Sequence, residues 1–186
     1  MKALTKERVA AQIGSKTGTS TKNLCMKFGN KYGVNPDVLL SIYTIESFYR
    51  PFWIRMVEYC VVFFGCIRCL LLKMPVKNRT IGRCQLGLTT ILNFYGGNHY
   101  QHSRSILIFS ISEVRQIFSV ISKERTIEIL AYRLQPITRR AIYIYPDVQK
   151  NRIRYIGEQF NGRYSYGMLL TEVFRQLVSV PQPKNS

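Results

Sequence analysis

The chain has 186 residues, enough for one domain with its own core, and 46% hydrophobic content excludes a disordered polar chain. Its 27 Lys and Arg against 10 Asp and Glu give a formal charge of +17, which draws the surface to polyanions (nucleic acid, anionic lipid or an anionic cell wall) and says nothing of the fold. The five cysteines are odd in number, and Cys60, Cys66 and Cys69 sit inside an apolar run, so they read as buried free thiols made in a reducing compartment rather than as a disulfide framework.

In chain order, residues 3–13 read as a helix stopped by Gly14, and 14–22 as a polar, flexible link. Residues 1–20 are therefore expected to form an arm outside the core, 21–180 a single domain and 181–186 a loose tail. No secretory leader is visible, because Lys6, Glu7 and Arg8 stand where its apolar segment would be. A second helix starts at Ser20 or Thr21, carries Leu24, Phe28 and Tyr32 at four-residue intervals and stops at Gly33. Asn35 suits an N-cap and Pro36 the first helical position of a third helix. In it Leu39, Ile42, Tyr43 and Glu46 fall at i, i+3, i+4 and i+7, so the Glu46 carboxylate shares a face with apolar side chains. Partial desolvation on such a face raises a carboxyl's pKa and suits it to general-acid work. Ser47 and Phe48 follow, and Pro51 makes further helix unfavourable.

Residues 52–72 read as a long helix. Glu58 and Arg68 interrupt its apolar run, so it is expected in the core rather than across a membrane. Glu58 lies on a stripe with Ile54, Val61, Val62 and Gly65; it is either a second carboxylate for acid–base work beside Glu46 or the partner of Arg55, three residues back. A basic loop, 73–79, leads to the segment Thr80-Ile81-Gly82-Arg83-Cys84-Gln85-Leu86-Gly87 and a helix over 89–95. Gly82 allows a ligand close to the backbone and the Gln85 amide can both donate and accept hydrogen bonds, although the same residues suit a plain loop. Gly96, Gly97 and Asn98 form a turn. His99 and His102, with Cys84 or the Cys66 and Cys69 pair, do not match a zinc spacing, so neither metal nor cofactor is expected. Residues 112–135 are helical with an end at Pro136; 137–145 have strand-like composition, but the helical context favours helix. Pro146 and Asp147 open a helix through Ile153, Ile156 and Phe160, and Asn161-Gly162 precedes Tyr164 and a last helix over 165–178.

Three of these segments, in order, resemble the lytic transglycosylases and goose-type lysozymes. Glu46 and Ser47, with Phe48 and Pro51, resemble the family's Glu-Ser-x-Phe-x-Pro motif, whose Glu is the catalytic acid. Thr80 to Gln85 resembles its Gly-Leu-Met-Gln motif, with Arg83 and Cys84 in place of Leu and Met. Phe160-Asn161-Gly162 resembles its Ala-Tyr-Asn-Gly segment, with Phe160 in place of the Tyr whose hydroxyl reaches towards the acid. Either Tyr155 or Tyr164 then takes over that hydroxyl's place, or burial alone tunes the acid.

The resemblance spans about residues 31–178 and implies a mainly α, lysozyme-like helical domain with a glycan-binding groove. It implies cleavage of the β-1,4 bond between N-acetylmuramic acid and N-acetylglucosamine, with Glu46 as general acid and then base. Ser47, Gly82, Gln85, Tyr155, Asn161 and Tyr164 would line the sugar, and Glu58 would hold water in a hydrolase. The expected partners are peptidoglycan strands, together with anionic wall polymers and a delivery machinery or an inhibitor protein. Made in the cytoplasm without a leader, such a chain is expected to reach the wall or periplasm by lysis or dedicated export. The competing readings are a non-enzymatic binder of nucleic acid and a lysozyme-like wall-binding part that has lost catalysis. The first rests on Arg139, Arg140, Lys150, Arg152, Arg154 and Arg163 interleaved with Tyr143, Tyr145 and Tyr155.

Overall fold

The computed structural model describes residues 18–49, 52–96 and 106–179. The helix expected over 3–13, Pro51, Gly97, Asn98, both histidines and the 181–186 tail lie outside them. The described chain is mainly α, as the sequence predicts. Its helices are α1 (Thr19–Tyr32), α2 (Pro36–Tyr49), α3 (Phe52–Leu72), α4 (Leu88–Gly96), α5 (Ile111–Phe118), α6 (Lys123–Ile144), α7 (Gln149–Asn161) and α8 (Tyr164–Ser179). Four two-residue strands, β1 (Val76–Lys77), β2 (Thr80–Ile81), β3 (Leu86–Gly87) and β4 (Ile106–Leu107), pair antiparallel as β1 with β4 and β2 with β3. The described residues gather into two compact units, those within Met1–Ile45 and Leu134–Ser186 and those within Glu46–Arg133.

In the first unit α1 ends at Gly33 in the left-handed region, and the Val34 N–H returns to the Gly29 carbonyl at 2.9 Å. Asn35 caps α2 as predicted: its Oδ1 accepts from the Asp37 N–H at 2.8 Å and the Val38 N–H at 3.4 Å. The spacing predicts one buried face for α2, but Val38, Leu39, Leu40, Ile42, Tyr43 and Ile45 are all buried. A helix that is apolar around its whole circumference belongs inside a core. In the same unit α7 and α8 touch through glycines. A Cβ on Gly157 would lie 2.8 Å from the Gly167 Cα, and one on Gly167 would lie 2.5 Å from the Arg154 carbonyl oxygen.

The second unit is built on α4, which buries Leu88, Ile91 and Leu92, with Ile117 of α5 and Ile127, Ile129 and Leu130 of α6 also inside. Asn78 ties the strand region to the start of α4: its Nδ2 donates to Thr89 Oγ1 at 3.1 Å and its Oδ1 accepts from the Thr89 N–H at 3.4 Å. The Phe109 N–H donates to Cys69 Sγ at 3.1 Å, fixing the chain after β4 to α3.

Several sequence expectations change. The segment 80–87 is a hairpin, β2–β3, rather than a loop. The helical run over 112–135 breaks at a 3-10 turn, Ser119–Ile121, and α5 starts one residue earlier behind a Ser110–Glu113 capping box. Pro136 does not end a helix, because α6 continues to Ile144. An interior proline costs about 3 kcal/mol, but α6 keeps Leu134 and Ala141 fully buried on either side of it, and one buried Leu is worth about 1.5–3 kcal/mol. The core role expected for α3 is met on one stripe, Val62, Cys66 and Cys69, while its other side is exposed. Among the described residues no helix is long and apolar enough to cross a membrane.

Candidate functional site

The apolar walls of α2 carry the chain to Glu46 three residues before the helix ends. Glu46 is 3% exposed. A carboxyl at that depth is held by the protein rather than by bulk water, the setting in which acids are tuned for proton transfer. The next side chain, Ser47, is half-buried, and its Oγ has no hydrogen-bond partner among the described residues.

The hairpin β2–β3 packs on α3 and brings the second predicted segment against it. Gly82 has φ +80°, and a Cβ there would lie 3.4 Å from both Tyr59 Oη and Val120 Cγ2, so the turn needs glycine for its backbone and runs close to the tyrosine hydroxyl. The turn closes with the Gln85 N–H donating to the Gly82 carbonyl at 3.3 Å. Gln85 itself sits at φ +48°, uncommon for a residue with a side chain. Glu58, half-buried on α3, is the chain neighbour of Tyr59. Burial pushes the Tyr59 phenol up from its ordinary value, against the pull of the Arg83 and Arg55 cations and with Cys84 adding to the rise. A protonated phenol beside two guanidinium groups can donate a hydrogen bond to a ligand oxygen while the cations favour negative charge nearby.

Glu46, Ser47, Glu58, Gly82 and Gln85 thus belong to one unit. Tyr155, Asn161 and Tyr164 belong to the other. Asn161 is the exposed last residue of α7. Phe160 is buried and packs 5.9 Å from the Tyr166 ring. Tyr155 is half-buried with its ring 5.9 Å from that of Tyr145, and Tyr164 is exposed with the Arg154 guanidinium 5.7 Å over its ring.

Two residues of the second unit escaped the sequence. Tyr59 sits in no motif and is marked only by the packing of β2 on α3. Glu128 is 4% exposed and accepts from Arg125 Nη1 at 2.7 Å, a second deeply buried carboxylate besides Glu46. Its signal was available, since it lies among the apolar residues Ile127, Ile129 and Leu130 of α6. No group of three or more His, Cys, Asp or Glu side chains stands together among the described residues as a metal ion would need. Compared with protein-family models, curated proteins and solved structures, the chain matches none of them.

Proposed function

We propose that the chain is a peptidoglycan-cleaving glycosidase with a lysozyme-like groove, in which Glu46 is the general acid and base. The observation that carries this reading is the Glu46 carboxyl, 3% exposed at the end of a helix buried all round. Glu46 gives its proton to the glycosidic oxygen between N-acetylmuramic acid and N-acetylglucosamine as the C1–O bond breaks. The resulting carboxylate then takes a proton from the muramoyl C6 hydroxyl, whose oxygen closes on C1 to give a 1,6-anhydro sugar. If water attacks C1 instead, the carboxylate takes its proton and the product carries a reducing end. The strained backbone at Gln85 and the glycine turn at Gly82 support a sugar-contacting role for this hairpin, with the Tyr59 hydroxyl as an additional donor.

Digestion of purified peptidoglycan by wild type and Glu46→Gln, with products read by mass spectrometry, tests the reading. Removing a general acid is expected to lower turnover by about 10²–10⁴-fold. Full activity in Glu46→Gln sinks the assignment, and 1,6-anhydro or reducing-end products separate transglycosylase from hydrolase.

A second reading has one observation of its own. Tyr143 is 87% exposed, with exposed Arg139, Arg140 and Lys150 near it in the chain, an arrangement that suits stacking on a base beside a phosphate. Loss of nucleic-acid binding in Tyr143→Ala at constant salt supports that reading; binding governed by salt alone reduces it to the net charge.

A further inference from the structure

Helix α3 presents its apolar residues all round, yet buries one stripe only. Val62, Cys66 and Cys69 face inward. On the opposite side Trp53, Val57, Cys60, Phe64, Arg68 and Leu71 recur at intervals of three and four, and all six are exposed. Trp53 is 66% exposed, Phe64 62% and Leu71 75%. An exposed stripe of this length, apolar but for Arg68, marks a place where something apolar docks.

The charges around the stripe say what docks. Beside α3 a cleft of about 450 Å³ is lined by Phe64 and Met74 and by three cations, Arg68, Lys77 and Arg79. None of these three has a carboxylate partner among the described residues; Arg68 spends one N–H on the Met74 sulfur at 3.2 Å. Between Ser47 and Ser110 the sequence has a single acid, Glu58, and it is half-buried. An exposed apolar stripe rimmed by unpaired cations, with almost no anion in the surrounding chain, is complementary to one kind of surface: an apolar layer capped by phosphates. A second copy of this chain would set the same cations against each other, and an anionic polymer in water would leave the stripe uncovered.

We propose that α3 lies in the headgroup region of an anionic lipid bilayer, with Trp53, Phe64 and Leu71 in the acyl boundary and Arg68, Lys77 and Arg79 on lipid phosphates. The helix lies on the membrane and does not cross it, consistent with Arg55, Glu58 and Arg68 in its length. Tryptophan is favoured at this depth, since its ring is amphipathic. This docking does not depend on the role assigned to Glu46.

Trp53 is the chain's only tryptophan, so the full-length protein carries its own probe on the proposed face. Intrinsic fluorescence is recorded with vesicles of phosphatidylcholine alone and of an equimolar phosphatidylcholine–phosphatidylglycerol mixture, the latter also with brominated acyl chains. Expected are a blue shift and bromolipid quenching with the anionic vesicles, and little change with the neutral ones. Phe64→Glu and Leu71→Glu, both at exposed positions and checked for unchanged circular dichroism, are expected to abolish the shift. Lys77→Gln combined with Arg79→Gln is expected to weaken partitioning on the order of thirtyfold. Four outcomes overturn the proposal. These are a shift that follows protein concentration without vesicles, an emission already blue and closed to acrylamide in the free protein, equal binding to neutral vesicles, and anionic-vesicle binding that both Glu variants retain.

Discussion

Burial pushes the Cys25 thiol up from 9.0 to about 12, with the Asp37 carboxylate adding to the rise, and burial together with neighbouring Cys69 pushes Cys66 up to about 11. Near neutrality both are thiols, and the thiolate is the nucleophile. Cys69 and Cys84 are buried too, whereas Cys60 lies open on α3. The native protein is therefore expected to show one fast-reacting thiol with an aromatic disulfide reagent, removed by Cys60→Ser, and five after unfolding. The same shift couples to stability. A thiol whose folded pKa exceeds its unfolded one stabilises fully below the unfolded value and loses that contribution as pH rises through the folded value. The denaturant midpoint should fall between about pH 9 and about pH 12, and fall less in Cys25→Ala, which has no proton to release. An equal fall in both proteins would assign the alkaline loss to other groups.

At the scale of elements, the α7–α8 contact is set by two missing side chains. A methyl on Gly167 must displace the Arg154 carbonyl, and one on Gly157 the Gly167 backbone, and neither obstacle can rotate away. Gly157→Ala and Gly167→Ala should each cost about 1–3 kcal/mol in urea unfolding, as overpacking does, against little change for Gln159→Ala at an exposed position of α7. If the glycine variants match that control, the close crossing does not hold this unit. The elements that the sequence made legible are those specified locally: the Gly33 stop, the Asn35 cap and the spacing that put Glu46 inside. The Ser110–Glu113 capping box was equally readable as Ser-x-x-Glu. The two-residue strands were not readable, since their pairing depends on residues as far apart as Val76 and Leu107 and no alternation develops over two residues. Pro136 misled because a local rule met a long-range gain in burial. Helix α3 meets its expected core role on the Val62, Cys66 and Cys69 stripe alone. An all-round apolar pattern says that every face must be covered, and leaves open whether protein or lipid covers it.

For the whole molecule, 10 acids cannot neutralise 27 cations, and pairs such as Arg125–Glu128, Arg154–Glu158 and Arg175–Glu172 engage acids within single helices. The surplus charge acts at the range of the Debye length, about 10 Å at 0.1 M salt and about 3 Å at 1 M, whereas a group buried as deeply as Glu46 is screened far less. Under the proposed function the two contributions separate experimentally. Digestion of intact wall carrying anionic polymer requires adsorption and should fall by about tenfold or more from about 0.1 M to about 1 M salt. Cleavage of a short soluble glycan fragment without that polymer requires only the site and should change by no more than about twofold. A parallel loss on both substrates would move the salt effect from the basic surface to the β2–β3 hairpin, where Arg83 beside Tyr59 is the cation to replace first. A loss confined to the intact wall would leave the chemistry to Glu46 and give the +17 surface the separate task of holding the protein where its substrate is.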